Sequence, residues 1–135
     1  MPIAYRADQA LACTVVVWDG DLTGRDMQRQ LRRLSSDPAW PAGPRHLVDG
    51  RTLGTVSMPE PDLLELLYTG TNLIGEIRVA AIVRPEFVDA AGVPYKAVTH
   101  EFHVATFSDV DAASAYLDLD SAAVQAVIDE LRQQL

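Results

Sequence analysis

Residues 10–18 read Ala10-Leu11-Ala12-Cys13-Thr14-Val15-Val16-Val17-Trp18, and this stretch decides the fold. Side chains alternate along a strand, so Leu11, Cys13, Val15 and Val17 face one way and Ala12, Thr14, Val16 and Trp18 the other. Neither side is polar. A β-branched run without a polar face predicts a central strand covered on both sides, the habit of a mostly parallel sheet.

Upstream, residues 3–7 are short and extended, with Ile3 and Tyr5 on one face. A tight turn at Asp8-Gln9 makes them an antiparallel edge strand. Downstream, Asp19-Gly20-Asp21 predicts the end of the central strand. Thr23-x-x-Asp26 then has capping-box spacing. Met27, Leu31 and Leu34 follow at helical intervals to about Ser36, and Asp37-Pro38 stops the helix. His46-Leu47-Val48-Asp49 reads as a second apolar strand and residues 50–58 as a hydroxyl-rich loop.

A helix begins near Pro59 or Pro61. Its stripe is Leu63, Leu66, Leu67 and Ile74, with Gly75 as C-cap. Residues 77–83 read as strand. Pro85 opens a short helix that Gly92 closes, and residues 93–100 carry no clear pattern. Residues 102–107 read as the last strand. Ser108-x-x-Asp111 caps a helix bearing Val110, Ala113 and Leu117. Asp120-Ser121 starts a final helix with Val124, Val127, Ile128, Leu131 and Leu135 on one stripe.

The predicted order is β-β-α-β-α-β-α-β-α-α. Strands separated by helices pair in parallel through right-handed crossovers. The expected fold is α/β: a mixed, mostly parallel sheet of about five strands with helices on both faces. It forms one domain over residues 1–135, with an additional C-terminal helix at about 120–135.

Composition limits the function classes. The 135 residues are 48% hydrophobic and 22% charged, with a net charge of −8, the balance of a globular protein with a core. Cys13 is the only cysteine, so no disulfide framework exists. No apolar run is long enough for a membrane span. Residues 1–6 hold no apolar signal region, so a cytoplasmic location is expected. A pI near 4.6 argues against nucleic-acid binding, which needs a basic surface. The charge is uneven: residues 22–36 carry +3, residues 59–76 carry −4 and residues 109–135 carry −5.

Four segments, in order, resemble the STAS domain (sulfate transporter and anti-sigma-factor antagonist), above all its small stand-alone bacterial SpoIIAA-like members. Gly20-Asp21-Leu22-Thr23 is similar to that family's G-x-x-T before the first helix. Asp37-Pro38-Ala39-Trp40 with Leu47-Val48-Asp49 resembles its d-P-x-w … L-x-D segment. Val79-Ala80-Ala81-Ile82-Val83 resembles its A-x-V strand. Residues 104–117, with Phe107, Asp109, Ala113, Tyr116 and Leu117, resemble its v-x-v-F-x-d-x-x-x-A-x-x-W-L ending. The resemblance spans about residues 3–118. It implies a non-catalytic binding or regulatory protein.

One departure matters. Family members that work as phosphorylation switches carry Asp-Ser-Ser/Thr-Gly after the matching strand. Here the chain reads Asp49-Gly50-Arg51-Thr52-Leu53-Gly54, so Asp49 matches and Arg51 replaces the hydroxyl. Thr52, Thr55 and Ser57 lie nearby without occupying the motif position.

Other constellations have bland readings. His100 and His103 are three apart on an extended segment and face opposite sides, so with Glu101 they do not converge on one ion. Cys13, His46 and Asp49 resemble a nucleophile, base and orienter, but a mid-strand thiol is inert. There is no G-x-S-x-G, P-loop, G-x-G-x-x-G or H-E-x-x-H. No cofactor or metal is expected, and no enzyme activity.

Arg25, Arg29, Arg32 and Arg33 form one basic stripe. Its default reading is a solvated helix face, and its functional reading a dock for an acidic partner, a phosphate or an anionic headgroup. Asp49, Arg51, Thr52, Thr55 and Ser57 lie beyond a parallel strand, where α/β sheets bind ligands. Glu60 and Asp62 already complement the dipole of the helix that follows. Trp40 is either a recognition patch or tucked onto the sheet end. The expected partner is a protein. A small apolar or lipid-like ligand, a phosphoregulated switch in residues 49–57, and a homodimer through the final helix are the alternatives.

Overall fold

The computed structural model describes residues 2–40, 42–57, 78–84 and 104–135. Their strands are β1 (Ile3–Asp8), β2 (Cys13–Thr23), β3 (Arg45–Ser57), β4 (Arg78–Ile82) and β5 (Val104–Phe107), and their helices are α1 (Gly24–Ser36), α2 (Val110–Tyr116) and α3 (Ser121–Arg132). The sheet order is β1-β2-β3-β4-β5. β1 pairs antiparallel with β2, and every other pairing is parallel. This is the expected mixed α/β sheet with an antiparallel edge. The expected helices at 59–75 and 85–92, the stretch 93–100, and His100, Glu101 and His103 lie outside the described residues.

The two-sided reading of the central strand holds. Cys13, Val15 and Val17 join Leu47, Ala80 and Ile82 beneath α2 and α3, which contribute Ala113, Leu117, Val124, Ile128 and Leu131. The opposite face gathers Ile3, Val16, Leu22, Val48 and Leu53, with Met27 of α1 packed against them. Each fully buried aliphatic side chain contributes about 2 kcal/mol, so both layers are needed.

The strand limits differ from expectation. β2 begins at Cys13 because the preceding residues form a turn: Leu11 N–H donates to Asp8 Oδ1 (2.9 Å) and Ala12 N–H to the Gln9 carbonyl (3.2 Å). β2 then runs through Asp19-Gly20-Asp21 instead of ending there, and β3 runs through the expected 50–58 loop to Ser57. The two strands extend together. Their register shifts between Val17 and Asp19 and between Gly20 and Leu22, and Gly20 takes φ +69°. The Asp-Gly pair therefore makes a bulge inside a strand where the sequence predicts the strand's end. Leu22 and Leu53, each 1% exposed, repay the extension with burial.

α1 has the predicted capping box: Thr23 Oγ1 accepts from Asp26 N–H, and the Asp26 carboxylate accepts from Thr23 N–H. Its buried side chains are Gln30 and Leu34, whereas Leu31 is half-buried. The contact face thus centres on positions 27, 30 and 34. Asp109, not Ser108, caps α2 by accepting from Ala112 N–H (2.8 Å). Asp120 caps α3 as read, and Leu135 lies past its end, 37% exposed.

Candidate functional site

Asp49 sits on β3 between Val17 of β2 and Ile82 of β4 and turns toward the α2–α3 face. Its side chain is fully buried. A carboxylate offers about four lone-pair positions. Arg51 fills three of them: its N–H donates to Oδ1 (3.1 Å), Nε to Oδ1 (3.0 Å) and Nη2 to Oδ2 (2.9 Å). Arg132, in the last turn of α3, donates from Nη2 to Oδ2 at 2.7 Å. Arg51 reaches back because residues two apart on a strand share a face.

Burial alone pushes the Asp49 carboxyl up, but the donors of Arg51 and Arg132 outweigh it and hold the group below the usual carboxylate range. The same bond raises Arg51, whose charge Asp129 and Asp109 also favour. A buried, ionised carboxylate with its lone pairs filled cannot serve as a general base. It acts as an anchor that fixes two guanidiniums.

Thr52 completes the group. Its Oγ1 accepts from Arg132 Nη1 (2.9 Å) and donates to the Trp18 carbonyl (3.3 Å). Arg51 and Arg132 keep 33% and 27% of their side-chain surface and Thr52 is exposed, so cationic and hydroxyl groups face outward together.

The structure divides the residues singled out in the sequence. Asp49, Arg51 and Thr52 come together. Thr55 belongs to a second group, donating from N–H (2.9 Å) and Oγ1 (2.8 Å) to Asp21 Oδ1. Ser57 stands exposed opposite Thr23 at the end of the pairing. All five lie on paired strand and not on a loop. Arg132 and Asp21 are the members that sequence reasoning missed. Arg132 stood out only as the one base in residues 109–135, and nothing local ties it to Asp49.

The Cys13–His46–Asp49 combination does not assemble. Cys13 and Asp49 share a face but stand four pairs apart, roughly 13 Å along the strands, and His46 lies on the opposite face. Burial pushes the Cys13 thiol up to about 11 and His46 down to about 4. Among the described residues no His, Cys, Asp and Glu side chains are grouped as a metal ion needs. No described helix is long and apolar enough to cross a membrane.

The stripe arginines Arg25, Arg29, Arg32 and Arg33 are all exposed on α1, on the opposite side of the sheet from Asp49. The Arg33 guanidinium lies 5.3 Å over the Tyr5 ring. The Tyr5 hydroxyl donates to Asp37 Oδ2 (2.8 Å), which fixes the end of α1 to β1. Trp40 is half-buried, with Nε1 buried.

No family model matches the chain, and no curated protein does. A solved structure does. It is an uncharacterized protein from the DUF3478 family with a SpoIIAA-like fold, from Shewanella loihica PV-4. It superimposes with a TM-score of 0.62 and 22% identity, covering 85% of this chain and 93% of that one. The chain has a SpoIIAA-like fold, in agreement with the resemblance of its four segments.

Proposed function

We propose that this protein works by binding a protein partner, without catalysis. One observation carries the reading: Asp49, the most deeply placed acid of the candidate site, is spent on holding Arg51 and Arg132 in place beside Thr52. Fixed guanidiniums lose little freedom when a partner's carboxylate or phosphate meets them, which favours recognition. Two described groups that a catalyst could use support the same reading, with the Cys13 thiol pushed up to about 11 and His46 down to about 4. A photo-crosslinking residue placed at Thr52 tests it in the source cells. The expected result is one discrete cross-linked protein, absent when the probe sits at exposed Ala122. Turnover abolished by Asp49→Ala would overturn the reading.

A second reading is phosphoregulation in residues 49–57. Its support is the Thr52 hydroxyl, exposed and 2.9 Å from the Arg132 guanidinium, where an added phosphate would meet cations. Intact-mass and peptide spectra of the protein from its own cells, free of phosphate on Thr52, Thr55 and Ser57, would rule it out. The apolar-ligand reading needs a cavity of roughly 300 Å³ or more. Among the described residues, the cavity beside α1 is about 10 Å³, the space of one water, and lends it no support.

A further inference from the structure

β1 is an edge strand, and its outer side is addressable from the ladder. Asp19 N–H donates to the Pro2 carbonyl at 2.8 Å. Antiparallel pairs alternate, so Ala4, Arg6 and Asp8 direct their backbone groups at β2. Ile3, Tyr5 and Ala7 therefore direct theirs outward. No hydrogen bond joins these outward groups to any described residue.

α1 runs alongside this edge. Pro2 and Ile3 line one groove with Asp26, Arg29, Gln30 and Arg33. Gln30 is only 7% exposed, and neither Oε1 nor Nε2 has a hydrogen-bond partner. A buried amide without partners is costly, because it has given up its water hydrogen bonds for nothing in return. Here it lies beside a strand edge that no described residue pairs, and under a basic helix face. Those are the parts of a strand-addition groove: edge amides for affinity, with an amide and guanidiniums for selection.

We infer that the outer edge of β1 together with α1 docks an extended acidic segment of a partner protein, which adds to the sheet beside β1. Alternate side chains of such a segment fall on the α1 side, where carboxylates meet the arginines and a backbone group meets Gln30. The charge argues for this occupant. α1 carries four arginines against one acid, whereas the chain as a whole is at −8, so a second copy would bring net repulsion. The inference rests on the binding reading but concerns a different surface, on the opposite side of the sheet from Asp49. Turnover assays judge that reading separately.

The test uses the full chain and a fluorescein-labelled peptide of alternating Glu and Val, with a Lys-for-Glu peptide as control. Anisotropy should show the Glu peptide bound about 10-fold more tightly at low salt. Ala7→Pro removes one outward N–H without touching the β1–β2 ladder, which an edge strand tolerates. It should weaken binding about 10-fold, as should Arg33→Glu. Hydrogen exchange at the Ile3, Tyr5 and Ala7 amides should slow when the Glu peptide is added, a readout that needs no variant. Gln30→Met should weaken the peptide while raising the melting temperature. Equal affinity for both peptides, unchanged exchange at those amides, or Gln30→Met lowering the melting temperature would overturn the proposal. So would light scattering that shows a dimer abolished by Ala7→Pro, since the edge would then belong to a second copy.

Discussion

Arg132 Nη2 lies 2.7 Å from Asp49 Oδ2, joining the last turn of α3 to the middle of β3 across 83 positions of sequence. This pair sits where the sheet, the C-terminal helix and the exposed Arg51–Thr52 surface meet. Its removal should therefore be felt in stability and in recognition.

Asp49→Asn should destabilise the fold by about 3 kcal/mol, because two guanidiniums lose the buried charge they share. Arg132→Met keeps the aliphatic stem and leaves Arg51 on the carboxylate, so its loss should be smaller, about 2 kcal/mol. The double variant should show coupling of about 1 kcal/mol or more in urea melts. Single variants within experimental error of the parent would refute this account of the anchor.

Acid should weaken the protein well before its carboxylates titrate. His46 is held neutral down to about 4 by burial, whereas the unfolded chain takes up that proton at about 6.5. Between those values the unfolded state binds more protons, so stability falls as pH drops through the window, by about 3 kcal/mol in all. Asp49 adds a later loss of the same sign, confined to pH below the ordinary carboxylate range. Its folded carboxyl is depressed, so its contribution is present above that range and vanishes as the folded group protonates. His46→Leu should remove most of the decline between about pH 6.5 and 4.5 in urea melts and leave the lower-pH loss in place.

Cys13 should be silent to thiol reagents in the folded state. It has no exposed surface, and burial raises its thiol to about 11, so thiolate is scarce at mildly alkaline pH. Labelling with a disulfide reagent should follow the opening rate of the native protein and become immediate in denaturing urea. Rapid native labelling would contradict the packed position assigned to β2.

Two glycines should respond differently to alanine. Gly43 has φ +107°, and an added Cβ would lie 2.6 Å from the Ala12 carbonyl oxygen, a backbone atom that cannot step aside. Gly43→Ala should cost about 2 kcal/mol or more. Gly20 also has positive φ, +69°, but a Cβ there meets nothing within 4 Å. Gly20→Ala should cost about 1 kcal/mol, the conformational penalty alone. Thermal melts of the two variants decide whether steric contact separates them.

Much of the architecture was legible in the chain. The run at residues 10–18 announced a strand covered on both faces, and Thr23 with Asp26 announced the start of α1, because both signals depend on neighbours a few residues away. The reading failed at Asp19-Gly20-Asp21 and at residues 50–57. There polar and glycine residues look like loop, yet Asp21 is satisfied by Thr55 on the adjacent strand, 34 positions on. A local pattern cannot report a cross-strand partner. The candidate site was half legible: Asp49, Arg51 and Thr52 were visible as chemistry on one short segment, and Arg132 was not.

By itself the sequence determined the order of the described elements, the two-sided core and the capping of α1, since periodicity and caps act within one or two turns or along one strand. Only the tertiary structure decided what Asp49 does. Its four donors converge because β3 continues through Arg51 and because α3 packs across the sheet to end above it. A carboxylate that could have been a base becomes a saturated anchor, and which of the two it is depends on an arginine from the far end of the chain.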